Sequence, residues 1–360
     1  MRKLIKFSYL FIIKFINLFC KVKPKARHMT ILMTFEEDVI PLANASIKEG
    51  YTVTLLYHPK YAHAVLNPDG KYYELFKASK KIALSNRLII QQMRAILTSK
   101  VIVIDTYYLM LGSMKRSASQ TVIQLWHATS AMKQFGLQDK HVDLNNKPLI
   151  QQYQSVYDYT DTYVVAGDYM IDIFKQSFNA HDKYFLKTGL PRLEKRCTAV
   201  NDIRSTLPNI TAPYTLFVPT YREYHLDDKL RLTHDALPNL IIKAHPSDRN
   251  YQTDIIAKEI PTENLIEHAD VVITDYSSLL VEAIYKGNRV YCYAPDEAQY
   301  NQERGLSKYY YNLTHKKAQT VAQLQQLMQH DIEYDIQGWV NYQTDHATQA
   351  IMAYIMEVIH

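Results

Sequence analysis

The 360-residue chain has only three cysteines, Cys20, Cys197 and Cys292, far apart and odd in number. That argues against a disulfide framework and for a reducing compartment. No CxxC pair or His/Cys cluster suggests zinc. Glycine is scarce, at nine residues. Neither GxxxxGK[ST] nor GxGxxG occurs, so a phosphate has to be held by helix ends and side chains. Asp-x-Asp, the metal clamp of many nucleotide-sugar enzymes, is absent, and so is the GxSxG elbow of serine hydrolases. The net charge of +5 comes without a basic motif and gives no reason to expect a nucleic-acid partner. In the first segment the longest apolar run is Tyr9 to Ile13, cut by Lys14, whereas a membrane span needs about 20 apolar residues. The segment is also a poor signal peptide, since no small-x-small cleavage site follows.

What is present is a globular composition, 47% hydrophobic and 21% charged, and a length suited to two domains. The first 27 residues read as a basic amphipathic helix. At about 100° per residue, Arg2, Lys3, Lys6, Lys14, Asn17 and Lys21 fall on one side. Leu4, Phe7, Phe11, Phe15, Leu18 and Phe19 fall on the other. This pattern suits an anionic membrane interface; a helix docked on the protein's own core is the alternative.

Short β-branched runs then alternate with helical stretches. Strands are expected at Met29–Phe35, Thr52–Tyr57, Val101–Asp105, Thr121–Trp126, Tyr163–Ala166 and Tyr184–Thr188. After the break at Gly189-Leu190-Pro191 the pattern restarts with Thr215–Pro219, Leu240–Ala244, Val271–Thr274 and Arg289–Tyr293. The segment from Val321 to His360 reads as helical. Such alternation predicts an α/β protein with parallel sheets. It predicts two Rossmann-like domains facing across a cleft, residues 28–189 and 190–360, after the helix of residues 1–27.

Ligands of such sheets bind beyond the carboxyl ends of the strands, and four polar groups stand there. His127 follows Thr121–Trp126, in VIQLWHATSAMKQFG. Thr220 and Arg222 follow Thr215–Val218, in PTYRE. His245 follows Leu240–Lys243, in AHPS. Asp275, Ser277 and Ser278 follow Val271–Ile273 and open a helix, Leu279 to Lys286. A helix start attracts anions, and the same residues serve equally well as caps. Glu282 is placed to reach a ribose hydroxyl or to pair with a lysine one turn away.

The stretches QLWHAT, MKQFG, VPTYRE, KAHP, ITDYSSLLVEA and YAPDEAQYNQERG occur in an order that resembles the CDP-glycerol glycerophosphotransferases of teichoic acid synthesis. The resemblance runs from about Met29 to the C-terminal helices. It is nearest to the short, priming members of the family, which carry Trp-His-Ala where the longer polymerases have Trp-His-Gly. It implies a GT-B-like fold, CDP-glycerol held by the C-terminal domain, and a peripheral (monotopic) place on the cytoplasmic membrane face. It implies an undecaprenyl-diphosphate-linked N-acetylmannosaminyl-N-acetylglucosamine acceptor, with CMP released. On that resemblance His127 is the general base, because a histidine suits proton uptake near neutral pH. His245, Ser277, Ser278, Arg222 and Arg304 stabilise the leaving group, with Thr220 and Asp275 beside the diphosphate. Two departures stand out. Ala294-Pro295-Asp296 replaces the usual Tyr-Asp, so Asp296 receives no role, and Ala244-His245-Pro246 replaces Leu-His-Pro. No cofactor is required by the sequence, no protein-bound metal is expected, and a loosely held Mg²⁺ is compatible with it. The rival readings are a ribitol-phosphate or second-step glycerophosphate transferase, a nucleotide-sugar GT-B glycosyltransferase, and a catalytically dead membrane scaffold.

Overall fold

The computed structural model describes residues 2–19, 22–194, 213–258 and 260–359. Two parallel sheets organise them. The first has the order β3-β2-β1-β4-β5-β6-β7. Its strands are β1 (Lys25–Met33), β2 (Thr52–Tyr57), β3 (Lys80–Ala83), β4 (Ser99–Ile104), β5 (Thr121–Gln124), β6 (Thr162–Val164) and β7 (Tyr184–Leu186). Helices cover both faces, so these strands are apolar on both sides. Ile31, Met33, Val101 and Val103 enter the core on one face. Leu32, Ile102 and Ile104 enter the other, as the two-residue period of a strand dictates.

The second sheet has the order β12-β11-β10-β8-β9, with β8 (Thr215–Val218), β9 (Leu240–Ile242), β10 (Val271–Thr274), β11 (Arg289–Tyr293) and β12 (Lys317–Ala318). Strand order reverses between β1 and β4 in the first sheet and between β8 and β10 in the second. At such switch points the connecting helices leave to opposite faces and open a crevice. One apolar core joins the domains: Met132, Tyr163 and Phe174 pack in the same cluster as Leu216, Tyr276, Leu306 and Trp339.

Three expectations are corrected. The first concerns the 190–360 boundary, because the helix Ala347–Val358 leaves the second domain. Its Ile351, Met352 and Ile355 lie in the core of the first sheet, and Tyr354 bonds Thr162 at 2.7 Å. The second concerns the continuous helical reading from Val321. Helices form only at Val321–Leu327 and Ala347–Val358. Between them the chain crosses back to the first domain and spends its backbone bonds there. Asn341 and Tyr342 N–H donate to Ala166 O, and Tyr169 N–H donates to Gly338 O. Gly338, at φ +107°, lies against the Tyr169 ring, where a Cβ would stand 2.4 Å from it. The third concerns β3 and β12, which went unread.

The first helix, Arg2–Phe19, joins both readings of its sequence. Ile13 is fully buried, with Tyr9, Leu10 and Ile16 packed against the same cluster as the helix Ile89–Thr98. Another face stays bare: Phe11 is 62% exposed, Phe15 54%, Leu18 71% and Phe19 73%. Among the described residues no helix is long and apolar enough to cross a membrane. Cys292 is a buried thiol, pushed up to about 12 by burial; Cys20 and Cys197 lie outside the described residues.

Candidate active site

The strand ends meet across the interdomain crevice. On the first-domain side, β5 ends and Trp126 takes φ +65°, a left-handed conformation costing on the order of 1–2 kcal/mol for a residue with a Cβ. Packing holds it there, since its ring lies against Phe135, Phe174 and Phe178. Such strain re-aims the next residue. His127 then stacks on Phe35, from the end of β1, at 4.4 Å. Its Nδ1 lies 2.9 Å from the carbonyl of Asp105, at the end of β4. A carbonyl only accepts, so Nδ1 carries the proton and Nε2 is left with a lone pair.

Burial holds the His127 imidazole down at about 4, with Arg192 and Lys133 adding repulsion against the Asp105 hydrogen bond. It is therefore neutral at pH 7. The Asp105 carboxylate fixes the platform beneath it. It accepts from Thr34 N–H at 2.6 Å, Phe35 N–H at 2.7 Å and Tyr108 O–H at 2.6 Å. Asp105 and Phe35 are site-building residues that sequence reading missed. Their signal was available: both sit at the ends of strands flanking the switch point.

A pH profile checks this. The unfolded histidine binds its proton below about 6.5, the folded one only near 4. Between these values the unfolded state binds more protons, so His127's contribution to stability is full above pH 6.5 and is lost as pH falls toward 4. For catalysis by His127, kcat/KM is expected to show no acid limb between pH 6 and 7. A limb centred near 6.5 that vanishes in His127→Asn contradicts the burial described here.

On the second-domain side lies a cavity of about 430 Å³, lined by Thr220, Arg222, His245, Ser277 and Arg304, with Lys133 from the first domain. His245 Nδ1 accepts from Ser247 N–H at 3.1 Å. Its neutral ring therefore carries the proton on Nε2, the opposite tautomer to His127. Ser277 Oγ accepts from the N–H of Leu279, the first residue of the short helix Leu279–Tyr285, at 3.2 Å, while its O–H remains a donor. Thr220 Oγ1 is buried with no partner. Ser278 sits outside the cavity lining, at the domain contact, where its carbonyl accepts from Ser130 Oγ at 3.4 Å.

Arg222 lines the cavity but its guanidinium is engaged. Nε and Nη2 donate to the two oxygens of Asp296 at 2.6 and 2.8 Å, and Nη1 donates to Thr220 O at 2.6 Å. Nη2 also lies 2.9 Å from Asp275. Asp275, an acceptor only, takes the Thr220 and Tyr276 N–H groups. Both residues brace the loops after β8 and β10 rather than presenting charge to the cavity, which departs from their expected place on a diphosphate. Asp296, left without a role by the sequence, is the second anchor of this bundle, with Tyr224 and Tyr276 O–H also donating to it. Glu282 does not line the cavity. It is buried and pairs with Lys286 at 3.1 Å, so the lysine alternative forms and its placement gives no support to ribose binding. Among the described residues no group of three or more His, Cys, Asp or Glu side chains converges as a metal site.

Comparison with known proteins finds relatives over most of the chain. The teichoic acid glycerol-phosphate primase of Staphylococcus aureus (strain NCTC 8325 / PS 47) is 34% identical over 345 residues, 92% of this chain and 92% of that protein. The protein of the same name from Bacillus subtilis (strain 168) is 29% identical over 339 residues, 87% and 85% of the two chains. The solved structure of a variant of the wall teichoic acid polymerase TagF soaked with CDPG superposes with a TM-score of 0.70 at 15% identity. It covers 98% of this chain and 94% of that chain, and it shows the shared GT-B-like fold. Residues 18–343 match the family described as CDP-glycerol:poly(glycerophosphate) glycerophosphotransferase. The chain belongs to that family and is a glycerophosphotransferase.

Proposed function

We propose that the enzyme transfers glycerol phosphate from CDP-glycerol to an undecaprenyl-diphosphate-linked N-acetylmannosaminyl-N-acetylglucosamine, releasing CMP, as the priming step of wall teichoic acid synthesis. The primase names of its relatives support the reaction class. The observation that carries the mechanism is the pair of opposite histidine tautomers on the two sides of one crevice.

In this reading an acceptor sugar hydroxyl attacks the glycerol-bearing phosphorus of CDP-glycerol. The new P–O bond forms as the bond to the CMP oxygen breaks. The hydroxyl proton passes to His127 Nε2. The negative charge developing on CMP is met by His245 Nε2–H, the hydroxyls of Ser277 and Thr220, and Arg304, while Ser278, outside the cavity lining, takes no part. Stabilising charge where it develops is the main work of phosphoryl-type transfer. The reading needs no resident metal, and a Mg²⁺ arriving with the diphosphate is compatible with it. Mass spectrometry of the lipid product tests the acceptor. The expected product carries one added glycerol phosphate on the bare disaccharide. Transfer confined to a lipid that already bears one unit overturns the priming step.

The acceptor is a membrane lipid in this reading, and the bare face of the first helix supports docking at the cytoplasmic membrane surface. Phe11, Phe15, Leu18 and Phe19 would enter the interface with exposed Lys14 beside them. Wild-type protein should co-sediment with anionic vesicles, and the triple variant Phe11→Ser, Phe15→Ser, Phe19→Ser should stay in the supernatant with its fold intact. Equal sedimentation of the two refutes this attachment.

A further inference from the structure

The cavity holds several basic side chains, but most are already engaged by protein groups. Arg222 is opposed by two carboxylates. The Lys243 ammonium donates to the carbonyls of Ala257 and Ile260 at 2.5 and 2.9 Å. His141 is paired with Asp139. Among the described residues lining the cavity this leaves Lys133 and Arg304, whose side chains make no hydrogen bond or ion pair. Arg304 belongs to the second domain. Lys133 arrives from the first, six residues beyond His127.

Backbone bonds tie the two cations together. Gln134 N–H donates to Gly305 O at 3.0 Å, and Ser307 N–H donates to Met132 O at 2.9 Å. Lys133 thus forms an antiparallel bridge with Leu306. Gly305 permits the approach: it has φ +76°, and a Cβ on it would stand 2.2 Å from Gln134 Oε1. The segment that follows the proposed base is therefore laced to the end of the helix Glu297–Arg304.

Lys133 is half-buried at the cavity wall, and an ammonium partly withdrawn from water without an ion pair is costly to a folded protein. Burial holds the Lys133 amine below the ordinary lysine range, with Asp275 opposing and Arg304 and Arg222 adding repulsion. An arrangement with nothing to gain for stability is one a ligand completes. We infer that Lys133 is a donor-binding residue: with Arg304 it grips the diphosphate of the nucleotide donor from across the crevice, so the donor site is complete only when both domains contribute to it. This rests on the CDP-glycerol reading above and deepens it. One consequence follows: the diphosphate charge is met by Lys133 and Arg304 instead of Arg222.

The test uses the full chain, with Lys133→Met and Lys133→Arg, and reads both ligand affinity and thermal stability. Probes are CDP-glycerol, inorganic pyrophosphate and cytidine. Losing a charge-assisted contact should weaken CDP-glycerol and pyrophosphate by about 10- to 100-fold in Lys133→Met. Cytidine affinity should be unchanged, and Lys133→Arg should recover part of the loss. The melting temperature of Lys133→Met without ligand should be equal to or above wild type, because a half-buried charge without an ion pair has gone. Unchanged pyrophosphate and CDP-glycerol affinities overturn the inference. So does a lowered melting temperature, which marks a structural lysine. Lys133-dependent pyrophosphate binding in a protein that fails to bind CDP-glycerol leaves the diphosphate assignment standing and removes the donor reading alone.

Discussion

His127→Ala should lose about 10³-fold in kcat, within the usual range for removal of a general base, while CDP-glycerol affinity stays within about twofold. The reason is geometric. Nδ1–H is spent on the Asp105 carbonyl, so Nε2 has nothing to do in the fold except accept. The side chain does not line the donor cavity, so truncation should spare donor binding. Stability should fall modestly, because truncation removes the contacts with the Phe35 and Trp126 rings and the bond to the Asp105 carbonyl, so turnover is compared at a temperature where the variant is fully folded. His127→Asn retains a polar side chain of similar width without the basic nitrogen, and it should be as inactive as alanine. Near-wild-type turnover in either variant removes His127 from the mechanism. Loss of donor affinity in step with kcat assigns it to binding instead.

Arg222→Met should destabilise the enzyme by about 3–5 kcal/mol, the usual cost of breaking a buried ion pair from one side. Asp275 and Asp296 would both be stranded, since each is essentially inaccessible and faces the guanidinium at 2.9 Å or less. The loop after β8 would loosen too, because Arg222 holds Thr220 O and Asp275 holds Thr220 N–H. Urea denaturation reads this directly through the midpoint. A variant that keeps wild-type stability and loses only CDP-glycerol affinity would make Arg222 a donor ligand, as its motif suggests, and would contradict the structural role. Lys133→Met is expected to show the reverse pattern. The two cations of one cavity are thereby separated by experiment.

The contrast shows where the amino-acid order was informative. Strands such as Val101–Ile104 and Val271–Thr274 announce themselves, because burial on both faces demands unbroken apolar runs. The residues just beyond them were legible as a set, since parallel strands deliver their carboxyl ends to one edge. β3 was missed because Lys80-Lys81-Ile82-Ala83 is an edge strand with only Ile82 buried. β12 has two residues, too few for any pattern. Pairing was illegible for another reason: Asp296 is 74 positions from Arg222, and nothing local says that an arginine at a strand end is already neutralised. Lys133 was hidden in the same way. Its motif was visible, but its position in the second domain's cavity depends on a bridge to Leu306. The return of Ala347–Val358 to the first sheet is equally a tertiary fact, since an amphipathic helix does not name the core that it joins.

The most direct test of the central claim is CMP release by the wild-type enzyme. CDP-glycerol, CDP-ribitol and a UDP-sugar would each be offered with the bare lipid-linked disaccharide and without it. Acceptor-dependent CMP release from CDP-glycerol, one CMP per disaccharide, is the predicted result. No CMP from CDP-glycerol under any condition, or turnover of the UDP-sugar in its place, would contradict the account.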